Sequence, residues 1–67
     1  MEQVQMIKEE IRRWINEADA YRDDYLERFR NASKDSDKDF FIRMADLYAN
    51  EYMSYRRVLD YIEKEVE

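Results

Sequence analysis

Residues 40–66 read FFIRMADLYANEYMSYRRVLDYIEKEV. The apolar side chains fall on a seven-residue repeat, with Ala45, Tyr52, Leu59 and Val66 in one position and Phe41, Tyr48, Tyr55 and Ile62 in another. That spacing predicts a helix with a continuous apolar seam. Phe40, Met44, Leu47, Val58 and Tyr61 widen the seam on one side only. A single partner helix cannot cover so wide a face, so this second stripe calls for a second partner.

The residues upstream supply the first partner. Val4, Ile11, Ala18, Tyr25 and Ala32 stand seven apart, and Ile7, Trp14, Tyr21 and Arg28 form the companion row. Helix 1 is therefore predicted over about 2–31, with Arg28 and Arg30 in its last turn, where cations complement the helix dipole. The apolar pattern lapses only in Asn31-Ala-Ser-Lys-Asp-Ser-Asp-Lys-Asp39. Asn31 is the candidate left-handed C-terminal residue. Ser33, Asp35 and Ser36 are candidate N-caps, and Ser36 with Asp39 forms a capping-box pattern. The expected turn is about 32–36 and helix 2 about 37–66.

So short a connection between two long helices makes an antiparallel pair. Folding the chain at Lys34–Asp35 sets Val4 opposite Val66, Ile11 opposite Leu59, Ala18 opposite Tyr52 and Tyr25 opposite Ala45. In the second row Ile7 meets Ile62, Trp14 meets Tyr55, Tyr21 meets Tyr48 and Arg28 meets Phe41. Both central alanines face tyrosines, the large-against-small match that close packing requires. The two flanks differ: Lys8 with Glu63, Ile15 with Arg56 and Phe29 with Ile42 complement each other. On the other side Glu17 faces Glu51 beside the uncovered stripe.

The fold class is thus all-α: one helical-hairpin domain spanning 1–67, coiled-coil-like, dimerising into a four-helix bundle. Composition agrees. The chain has 67 residues, no Gly, no Pro, no Cys and no His. Strands and tight hairpins draw on Gly and Pro, which long helices avoid. A chain this short buries a small core, and without disulfides or metal the remaining means of stabilisation is oligomerisation. The connection has no Gly or Pro to enforce it, which leaves exchange of helices between two opened chains as an alternative.

The sequence also bears on chemistry. Lack of His removes the commonest catalytic base and transition-metal ligand. Asp35-Ser-Asp-Lys-Asp39 has the opening of a calcium loop, but the required Gly and Glu are replaced by Phe40 and Asp46. Glu17 and Glu51 have no nucleophile or base beside them, so the reading is of a non-enzymatic chain with no cofactor, metal or small-molecule substrate. Trp14, Tyr21, Tyr25, Tyr48, Tyr52 and Tyr55 lie on the seam and are expected in the core rather than as a base-stacking platform. Arg12, Arg13, Arg56 and Arg57 fall at one level of the hairpin, where arginines grip phosphate or an acidic protein.

The net charge of −5 argues against nucleic acid and anionic membranes as partners and suits a cytoplasmic protein. No apolar run approaches a membrane span. The chain is accordingly expected to be a homodimeric protein–protein interaction module, an adaptor or inhibitor of another protein. Phe40, Met44, Leu47, Val58 and Tyr61 would form the dimer or partner interface. The four arginines with Glu17 and Glu51 would make charged contacts to the target. The alternative is a nucleic-acid-binding regulator using the arginines. In general shape the chain resembles many small regulators of phages and mobile elements, an analogy of fold that no motif carries.

Overall fold

The computed structural model describes residues 2–66 and shows an antiparallel hairpin of two helices. Helix α1 spans Glu2–Asn31 and α2 spans Asp35–Tyr61, followed by a wider π-helical turn over Ile62–Val66. The hairpin measures 50 × 15 × 11 Å. Glu10 pairs with Arg13, Asp19 with Arg22, and Asp24 with Arg28 at 3.1 Å. In each pair the acid precedes the base by three or four residues, the orientation that supports a helix, at about 0.3–0.5 kcal/mol per exposed pair.

The connection differs from expectation. It occupies only residues 32–34, and the N-cap of α2 is Lys34, with φ −96° and ψ 138° and no side-chain cap hydrogen bond. Ser36 and Asp39 lie inside the helix, so no capping box forms. The Lys38 N–H donates to the Lys34 carbonyl at 3.0 Å, and Asp35 and Asp37 place negative charge in the first turn, where it opposes the positive end of the dipole. No described residue has positive φ. Asn31 therefore closes α1 in helical conformation, and the extended backbone at Lys34 redirects the chain without a left-handed residue.

The register is that of the sequence. The rings of Trp14 and Tyr55 approach to 5.7 Å and those of Tyr21 and Tyr48 to 5.1 Å. Ala18 and Ala45 are buried, as close approach demands. At the turn end Tyr25, rather than Arg28, meets Phe41, at 6.3 Å, and stacks on Tyr48 at 5.9 Å. Arg28 instead lies over the Tyr25 ring at 5.7 Å. At the other end Val66 falls in the π-helical turn and is exposed, so the seam opens before it reaches Val4.

The rotation of α1 about its axis is the main correction. Its buried residues are Lys8, Ile11, Ile15 and Ala18, whereas Ile7, Trp14 and Tyr21 stay 53%, 42% and 52% exposed. The core is Ile11, Ile15 and Leu59, with Tyr52, Tyr55 and Ile62 packed against it. The cause is steric. Trp14 opposes Tyr55 and Tyr21 opposes Tyr48, and such large pairs do not fit between helix axes only about 8–10 Å apart. Ala18 and Ala45 set the close spacing, and the large rings move to the edge.

Candidate functional site

The rotation of α1 creates one apolar face shared by both helices. From α1 it presents Ile7, Trp14 and Tyr21, seven residues apart; from α2 it presents Phe40, Leu47, Val58 and Tyr61, all about half exposed or more, with Met44 half-buried. Steps of three or four residues link Phe40, Met44, Leu47, Glu51, Tyr55, Val58 and Tyr61, so these side chains are neighbours along one side of α2. The whole hairpin exposes 5373 Å², against roughly 4,600 Å² for a compact monomer of this mass. The excess goes with the elongated shape of the hairpin, 50 × 15 × 11 Å, which leaves much of each helix facing outward.

The face has two parts. Phe40, Leu47 and Tyr61 stand roughly 200° around α2 from the buried Ala45 and Leu59, at 100° per residue. None of the three carries a charge; Leu47 and Tyr61 lie at the outer edge of the hairpin, and Phe40, at the turn end, also meets the Tyr25 ring of α1 edge-on at 6.4 Å. Between the helices lies a small recess of about 80 Å³, walled by Trp14, Tyr21, Tyr48 and Tyr55 over Ala18, with Glu17 and Glu51 on its sides. Neither glutamate has an ion-pair partner among the described residues. The Tyr48 phenol is raised above its ordinary 10.0, first by burial and then by Tyr25, Glu51 and Tyr21.

Arg12, Arg13, Arg56 and Arg57 are all exposed. Consecutive helical residues diverge by about 100°, so each adjacent pair splits between two faces, and Arg13 is held by Glu10. A wider hollow of about 590 Å³ lies at the turn, where Asp24, Glu27 and Asp37 gather with Arg28. Arg28 already pairs with Asp24 there. Among the described residues no group of acids is arranged to hold a metal ion, and no helix is long and apolar enough to cross a membrane.

The expected interface residues of α2 therefore sit on one side, with Glu51 among them and Glu17 across the recess. Ile7, Trp14 and Tyr21, which the seven-residue repeat predicts in the core, join them on the surface. The signal for this was present in the sequence, since Trp14–Tyr55 and Tyr21–Tyr48 are large-against-large pairs. No protein-family model, curated protein or solved structure matches the chain.

Proposed function

We propose that this chain is a cytosolic, non-enzymatic protein–protein interaction module that pairs with a second copy of itself along α2 and engages a target protein through its charged and aromatic surface. The observation that carries the reading is the row of exposed Phe40, Leu47, Val58 and Tyr61 with half-buried Met44, on a hairpin whose buried apolar core among the described residues is only Ile11, Ile15, Ala18, Ala45 and Leu59. Burying side chains of this size stabilises by roughly 1.5–3 kcal/mol each before ordering costs.

A second copy is the occupant that fits. Phe40, Leu47 and Tyr61 repeat in steps of seven or its double, and an identical helix offers the same spacing across a two-fold axis. Phe40, Leu47 and Tyr61 are uncharged, and the charges that flank Leu47 at four residues on either side, Arg43 and Glu51, are opposite in sign, so two copies can meet there without net repulsion. Along the recess they would confront Glu17 and Glu51 with their own duplicates. Pairing through α2 thus makes a four-helix assembly and leaves α1, the recess and the arginines for a target, as an adaptor or inhibitor requires. Static light scattering over a wide concentration range tests the reading. A mass near twice 8.4 kDa is expected, and a monomer at every concentration overturns the pairing.

A further inference from the structure

The recess has a composition that names its ligand. It is walled by four aromatic rings, and its sides carry two carboxylates without ion-pair partners among the described residues. Aromatic faces attract cations through their quadrupoles, and the attraction grows where water is partly excluded. Unpaired carboxylates add charge-assisted hydrogen bonds, strongest with the flat fork of a guanidinium, which accepts stacking and bidentate pairing together.

The chain already makes this contact elsewhere. Arg22 sits over the Tyr52 ring at 5.5 Å while pairing with Asp19, and Arg28 sits over Tyr25 at 5.7 Å while pairing with Asp24. Each combines a tyrosine face, a guanidinium and a carboxylate. The recess brings the same two kinds of group together, aromatic rings and carboxylates. The two arginines that flank its residues in α1, Arg13 and Arg22, pair with Glu10 and Asp19.

We propose that the recess of Trp14, Tyr21, Tyr48 and Tyr55, flanked by Glu17 and Glu51, receives an arginine side chain from a basic segment of the target protein. This rests on the reading of the chain as a protein-interaction module and specifies the chemistry of its partner. The guanidinium lies against the Trp14–Tyr55 and Tyr21–Tyr48 ring pairs and donates to both carboxylates. The net charge of −5 draws a basic segment toward the surface.

Trp14 is the only tryptophan in the chain, so its fluorescence reports on the recess and not on the acidic hollow at the turn. The intact chain is titrated with tetra-arginine and, separately, with tetra-lysine at about 0.1 M salt, where charges separated by more than about 10 Å are screened. Tetra-arginine is expected to change Trp14 emission saturably and to bind several-fold more tightly than tetra-lysine. The combined substitutions Glu17→Gln and Glu51→Gln are expected to weaken it at least about tenfold. Neither substitution removes an ion pair described in the hairpin, and far-UV circular dichroism checks that the helices persist. No saturable change, equal binding of the two peptides, or binding indifferent to the glutamines overturns the proposal. Mass measured on the same samples separates the two readings. A dimer that ignores the peptide overturns the recess alone, and a monomer that binds it overturns the pairing alone.

Discussion

Replacing Ala45 with leucine tests the packing that fixes the hairpin. Ala45 is 1% exposed, and it lies at the level where Tyr25 stacks on Tyr48 at 5.9 Å and meets Phe41 at 6.3 Å. Leucine adds three carbons where there is no room, so α2 must move away from α1 or the rings must leave their wells. Overpacking of this kind costs about 1–3 kcal/mol. Helix propensity offsets little of it, because leucine and alanine differ by only a few tenths of a kcal/mol. A 67-residue chain has a total stability of about 3–10 kcal/mol, so the loss is a large share. Thermal unfolding followed by far-UV circular dichroism is expected to show Tm lower by about 4–8 °C per kcal/mol. Near-UV signal from the Tyr21–Tyr48 and Tyr25–Tyr48 contacts should weaken in parallel. Ala20→Leu, on the exposed side of α1, is the control and should change stability by less than about 0.5 kcal/mol. An Ala45→Leu protein as stable as the parent would refute the reasoning, since Ala45 would then not be where the helices approach closely.

Other perturbations separate the parts of the molecule. Val58→Glu puts a charge on the exposed α2 row and should lower the mass from that of the proposed dimer to that of a monomer with unchanged helicity; a light-scattering mass that stays doubled would remove Val58 from the interface. Ala18→Leu fills the floor of the recess, so it should abolish the Trp14 response to tetra-arginine, and a full response would misplace Ala18. The raised Tyr48 phenol favours the neutral form in the folded chain. Its contribution to stability is complete below pH 10 and lost as pH climbs through the raised value, so a urea midpoint falling above pH 10 should fall less in Tyr48→Phe. Electrophoretic shift assays at low salt should detect no complex with nucleic acid, and a complex that Arg12→Glu with Arg57→Glu abolishes would favour the alternative reading.

Much of the hairpin was legible because it rests on periodicity. The seven-residue rows show that two long helices meet along a seam, and the small-against-large match of Ala18 and Ala45 with tyrosines points to the register that the Trp14–Tyr55 and Tyr21–Tyr48 contacts display. Two features were not. The cap at Lys34 uses backbone geometry and no side chain, so nothing in residue identity marks it. The rotation that buries Lys8 and Ile15 and exposes Trp14 and Tyr21 depends on comparing volumes across the seam. A repeat of apolar positions records that Trp14 and Tyr55 are both apolar, but not that together they are too large for the gap. The acidic flank of Glu17 and Glu51 could be read from the register. The aromatic recess between them followed only once the rings had moved outward.

Isotope-filtered NMR on a mixture of labelled and unlabelled chains distinguishes contacts within a chain from contacts between chains in one experiment. Ring and methyl contacts between chains are expected at Phe40, Leu47, Val58 and Tyr61, and the Trp14–Tyr55 contact is expected only within a chain. A Trp14–Tyr55 contact between chains would mean that the helices exchange partners rather than fold back. An absence of any contact between chains at the α2 row would mean that a second copy does not cover it.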